Sequence, residues 1–223
     1  MHDWHDRTTS VLTSTIEPSA AWDRRTVLMG LTALITGIVA TRVRADDLSA
    51  EMILNDPDAP VGGNPKGDLT IVSFFDYNCP FCKRTVEPLN AVLASDGNIR
   101  HVYKDWPILA KSSAYGAKLA LAARYQDRYE DAYSALMRIE GSGISEGRMR
   151  QELERAKFDM ARLEADAKRH DSKIVALLQR NNAQAEGLGL RGTPVFLIGQ
   201  FLVASALDEA GFRQVVKDAR EAS

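Results

Sequence analysis

Cys79 and Cys82 are the whole cysteine complement of a 223-residue chain, and they follow directly on an apolar run. That run, Leu69–Phe75 (LTIVSFF), is rich in β-branched and aromatic residues, which predicts a short strand buried on both faces. Pro80 comes immediately after Cys79, and proline is favoured at the first position of a helix, where its missing N–H costs nothing. The pattern therefore predicts a strand, a turn capped by Cys79, and a helix over Pro80–Ser95 with Pro88 as a kink point. A cap residue and the third helical residue face each other. Cys82 is thus placed within the ~4.4–6.8 Å Cα separation that a disulfide requires. A sulfur at the cap also meets unpaired backbone N–H groups and the positive end of the helix dipole, with Lys83 and Arg84 adding charge nearby. The stretch supplies one thiol expected to ionise below the ordinary ~8.5 and a second able to resolve a mixed disulfide.

Other uses of two cysteines fare worse. Structural zinc needs four ligands, and the chain beyond residue 45 offers only His101 and His170, far apart in sequence. Iron–sulfur clusters normally take four cysteines. A staple closing so short a loop removes little chain entropy. The pair is left with redox chemistry, or with holding a soft metal such as Cu(I) as a binding module. A formal net charge of −2 carries no basic excess, which argues against a nucleic-acid partner.

Residues 46–223 are enough for one domain with a sizeable core. Asp56–Lys66 (DPDAPVGGNPK) reads as a surface loop and Ile99–Lys104 as a second strand, giving a parallel βαβ unit. Between Trp106 and Gly192 no strand is evident, and a structureless loop of that length is implausible, so helices are expected. Tyr129, Ala132, Tyr133, Leu136 and Met137 follow helical spacing. Met149, Leu153, Ala156, Met160 and Leu163 form a further stripe; Ser112–Ala123 and Asp171–Glu186 are two more helix candidates. Val195–Ile198 and Phe201–Ala204 then read as a hairpin turning at Gly199-Gln200, with Asp208 capping a final helix. The fold class expected is α/β, a thioredoxin-like scaffold with an inserted α-helical domain. Its parts are an extension and loop (46–68), a βαβ part (69–105), the insert (106–192) and a ββα part (193–223).

The N-terminus differs in kind. Arg24 and Arg25 precede an uncharged run, Val27–Ala40, that as a helix would span only about 21 Å against a bilayer core of roughly 30 Å. Val43-Arg44-Ala45 offers a small-residue cleavage site. Residues 1–45 are therefore expected to be a twin-arginine-like export signal, although Asp23-Arg24-Arg25-Thr26-Val27-Leu28 lacks the usual Ser/Thr before the pair and the aromatic after it. Export places the protein in the periplasm or another extracytoplasmic compartment, where disulfides persist.

Three segments in order, Phe75–Lys83 (FDYNCPFCK), Val102–Leu109 (VYKDWPIL) and Gly189–Ile198 (GLRGTPVFLI), resemble the DsbA-like thiol–disulfide oxidoreductases. The resemblance implies an attacking Cys79, a resolving Cys82, Pro80 and Phe81 as residues that tune the pair, and a cis Thr193–Pro194 bond beside it that holds an extended substrate. It implies no organic cofactor and no metal. The partners expected are thiol-containing or disulfide-bonded exported proteins and an unidentified partner that recycles the pair. Two departures stand out. Where many members carry a strand acid six residues before the first cysteine, this chain has Ser73; Asp76 could assist instead, though a solvated strand-end aspartate is the simpler reading. Strongly oxidising members have histidine where this chain has Phe81, which predicts a weaker oxidant. The short stretch before the first strand favours a monomeric oxidase over an isomerase or reductase.

Overall fold

The computed structural model describes residues 45–222; the expected export signal lies outside them. The order of elements is α1 (Ala50–Asn55), β1 (Val61–Gly63), β2 (Leu69–Phe75), α2 (Pro80–Asp96), β3 (Ile99–Asp105), α3 (Lys111–Ala123), α4 (Tyr129–Met137), α5 (Glu146–Arg155), α6 (Met160–Arg169), α7 (Asp171–Gly187), β4 (Val195–Ile198), β5 (Phe201–Val203) and α8 (Glu209–Glu221). Five strands form one sheet in the order β1-β3-β2-β4-β5. β2 and β3 run parallel, while β1, β4 and β5 join antiparallel to their neighbours. This is a thioredoxin-like sheet with helices α3–α7 inserted before its last hairpin.

The continuous apolar character of β2 follows from burial on both faces. Leu69 and Ile71 pack toward α2 and α8 with Leu89, Val92, Phe196 and Phe212. Val72 and Phe74 pack on the opposite face with Ile53 of α1, Trp106 and Ala185 of α7. Phe75, at the strand end, enters a third cluster that holds Tyr77, Cys79, Cys82 and the core of the helical insert. The redox motif is therefore built into the seam between sheet and insert.

The structure revises two expectations. The stretch 56–66 is not all loop: Val61–Gly63 pairs antiparallel with β3, Val61 opposite Val102. Two of its three residues are glycine, which removes the β signal from the sequence. Close approach requires it, since at Gly63 (φ +62°) a Cβ would lie 2.5 Å from the Ile99 carbonyl oxygen. The stripe from Met149 to Leu163 belongs to two helices. Lys157 takes a left-handed conformation (φ 63°) and Asp159 caps α6 by accepting from the Arg162 N–H, yet Met149, Leu153, Met160 and Leu163 all reach the same core. α2, by contrast, continues through Pro88 to Asp96.

Candidate active site

Cys79 is the N-cap of α2, in extended conformation, and Pro80 is the first helical residue. The Asp76–Cys79 turn is closed by the Cys79 N–H donating to the Asp76 carbonyl at 3.0 Å. From the third helical position the Cys82 N–H donates to Cys79 Sγ at 3.2 Å. Both cysteines are free and buried. The Thr193–Pro194 bond is cis, and the Thr193 carbonyl accepts from Cys79 Sγ at 3.3 Å, bringing together residues 114 positions apart. Phe81 stands outward, 52% exposed, with the Arg84 guanidinium 4.5 Å from its ring centre.

The two sulfurs are unequal. Cys79 is lowered to about 6, first because the Cys82 thiol donates to it. The Thr193 hydroxyl and the N–H groups of Cys82 and Phe81 act in the same direction, against burial. Cys82 is driven upward, by burial and by the neighbouring Cys79 sulfur. The helix N-terminus thus contributes, as the sequence predicts, but the hydrogen bond from the second cysteine leads. Exposure does not rank the pair, since Cys79 and Cys82 are 2% and 1% exposed; protonation does. The Thr193 hydroxyl is buried beside the pair with no hydrogen-bond partner among the described residues.

The residues preceding the motif are clamped by the helical insert. Asp76 is 1% exposed, not a solvated strand end. It accepts from the Asn78 N–H (2.7 Å), Ser113 Oγ (2.6 Å) and the N–H groups of Ile108 and Leu109 (2.8 and 2.9 Å). Four donors explain how a carboxylate is accommodated there. The Asn78 side chain donates to Ser112 and Ser113 and accepts from the Ile144 N–H. Lys83 Nζ reaches the Gly141 carbonyl at 2.8 Å. Nothing in the local sequence marks Asn78 for this work, because its partners lie 34 to 66 residues away.

Ser73, in the place where many DsbA-like members carry an acid, is buried and lies 2.8 Å from His101 Nε2. Burial pushes His101 down to about 3, so this neutral pair stands where an ionisable one would otherwise be. Next along β3, buried Asp105 accepts from the Tyr77 and Tyr129 hydroxyls at 2.9 and 2.8 Å, and burial raises it to about 7.

With this geometry in hand, the comparisons agree. A family model described as thioredoxin matches residues 55–218, and the chain belongs to that family, in its DsbA-like branch. A thioredoxin-like oxidoreductase from Silicibacter pomeroyi DSS-3 is 36% identical, with a TM-score of 0.73 over 78% of this chain and 99% of that one. The thiol–disulfide exchange protein α-DsbA2 from Wolbachia pipientis is 26% identical, with a TM-score of 0.71 over 80% of this chain and 95% of that one. Among curated proteins, the Na(+)/H(+) antiporter NhaA 1 of Mycolicibacterium gilvum (strain PYR-GCK) is 26% identical over 141 residues. This match takes in 62% of the present chain but only 23% of the antiporter, so the chain spans about a quarter of the length of the curated relatives it matches. No helix among the described residues is long and apolar enough to cross a membrane. The chain carries a thiol–disulfide oxidoreductase domain of the DsbA type, with the neighbouring Cys79 and Cys82 as its two cysteines.

Proposed function

We propose that this oxidoreductase works in the oxidising direction on exported proteins, with Cys79 as the exchanging sulfur. A substrate thiolate attacks Cys79 of the Cys79–Cys82 disulfide. The new bond joins substrate sulfur to Cys79 Sγ, the internal S–S bond breaks, and Cys82 leaves and takes up a proton. A second substrate thiolate then attacks the first substrate sulfur and expels Cys79 as a thiolate. The substrate gains a disulfide, the enzyme gains two electrons, and a recycling partner must remove them. Thr193 and Pro194 line the groove against which an extended substrate strand would lie, with Phe81 at its rim.

The observation carrying this reading is the unequal setting of the two sulfurs: Cys79 caps α2 and accepts from the Cys82 N–H, while Cys82 is buried within the helix. A sulfur lowered to about 6 is a good leaving group at neutral pH, while one driven upward is a poor one. Stabilising the reduced form in this way makes the disulfide oxidising. With Phe81 in place of an imidazole the effect is smaller than in the strongest oxidants. Equilibration of the pair with glutathione tests the direction. The expected potential lies between about −200 and −120 mV, and a value near thioredoxin's, about −270 mV, would refute the oxidase assignment. Cys82→Ala is expected to accumulate a mixed disulfide with a thiol peptide supplied as its activated disulfide, and Cys79→Ala to form none; the reverse would exchange the roles.

A further inference from the structure

The groove beside Cys79 is lined by Phe81, Leu190, Val195 and Leu202, and encloses about 510 Å³. That space suits a short extended segment better than a folded surface. Arg191 is the one ionisable residue among the described residues that line it. It is exposed, and no carboxylate among the described residues pairs with it or lines the groove. Arg84, whose guanidinium lies over the lining residue Phe81, puts a second positive charge at the rim, while Lys83 turns away to the Gly141 carbonyl. Arg191 precedes by two residues Thr193, whose carbonyl touches Cys79 Sγ. At ~3.3–3.6 Å per residue, Arg191 is within reach of a side chain one to three residues from a cysteine bound at Cys79.

We propose that this groove selects cysteine-bearing segments with a carboxylate close to the reacting cysteine, Arg191 being the residue that reads it. The proposal rests on the disulfide-exchange reading above and adds a substrate class to it. The physical reason is asymmetry of desolvation. A segment lying along the apolar floor removes water from the guanidinium. A carboxylate opposite it replaces the lost hydration with a forked hydrogen bond, a neutral side chain replaces only part of it, and an ammonium group is repelled.

The test uses three synthetic peptides, identical except for Glu, Gln or Lys two residues from a single cysteine. Their second-order rates of reaction with the oxidised protein are measured at low and at 1 M salt. A flanking carboxylate also raises the peptide's own thiol pKa, so each rate is divided by that peptide's rate with hydroxyethyl disulfide. Expected is an order Glu, Gln, Lys with steps of about two- to fivefold at low salt, collapsing at high salt where the screening length falls to ~3 Å. Arg191→Gln is expected to flatten the series and Arg191→Glu to invert it, read as ratios within each variant. Equal normalised rates in the wild-type protein, or an order that survives Arg191→Glu, would overturn the proposal. No reaction with any of the three peptides would overturn the exchange reading beneath it, and the proposal with it.

Discussion

Lys104 and Asp105 are neighbours at the end of β3, and consecutive strand residues point to opposite faces of the sheet. Both are buried, at 0% and 1% exposure, and the two faces treat their charge differently. Lys104 lies 3.6 Å from Asp56, onto which Arg180 also closes with contacts of 2.7 and 2.8 Å. In that company Asp56 stays below its usual range, its hydrogen bonds and two cations outweighing burial. Lys104 falls to about 8, since burial outweighs its attraction to Asp56. Asp105 has no ion-pair partner among the described residues, only two tyrosine hydroxyls and its own backbone N–H, and burial raises it to about 7. One face ties α7 and the segment after α1 to the sheet through ion pairs. The other ties the sheet to the helical insert through a carboxyl group that can discharge, in the cluster that also holds the cysteines. On β3 the buried charge persists where counter-charges surround it, and is pushed toward neutrality where two hydroxyls are its side-chain partners.

The largest effect should come from removing the centre of the charged face. Asp56→Ala leaves Lys104 and Arg180 with no carboxylate between them and is expected to cost about 3–5 kcal/mol in denaturant unfolding. The Cys79 titration, on the other side of the sheet, should not move. A loss below about 1 kcal/mol would show that the two faces are not as different as argued.

Asp105→Asn probes the other face and should cost less, about 1–3 kcal/mol at pH 5, because the amide must turn its NH2 group toward one of the two tyrosine hydroxyls that the neutral carboxyl meets with its oxygens. The sign with pH is the sharper readout. Asp105 titrates near 7 when folded and near its ordinary 3.8 when unfolded, so its contribution is complete below about 4 and is lost as pH rises through 7. The penalty of the substitution is therefore expected to shrink between pH 5 and pH 8. A penalty independent of pH would place a permanent charge at Asp105.

His101→Gln should have the smallest effect at neutral pH and a visible one in acid. The buried imidazole titrates near 3, whereas the unfolded chain takes up the proton near the ordinary 6.5. Stability contributed by neutral His101 is present above about 6.5 and is lost as pH falls toward 3, with a slope of at most about 1.4 kcal/mol per pH unit. The substitution should flatten that slope in urea titrations across pH 4–7. An unchanged slope would mean that the imidazole near Ser73 takes its proton as readily in the folded state as in the unfolded.

Much of the site is legible locally. The Leu69–Phe75 strand, the Cys79 cap, Pro80 at the first helical position and the 195–198 and 201–203 hairpin all rest on signals a few residues long. The missed or misread features are of another kind. β1 is hidden by its glycines. The break between α5 and α6 is hidden because both helices feed one core. Asp76 reads as solvated until Ile108, Leu109 and Ser113 are folded over it. Asp105 carries no local mark of the two tyrosines that enclose it.

The amino-acid order alone determined that a thiol would cap a helix with a second thiol one turn along, because capping and helical periodicity act over three or four residues. Only the tertiary structure decided how strongly each sulfur holds its proton, which carboxylates are charged, and that Arg191 faces the groove beside Cys79. Those properties depend on burial and on partners brought from 24 to 124 residues away, and the free energy of a charge is set by what surrounds it in space.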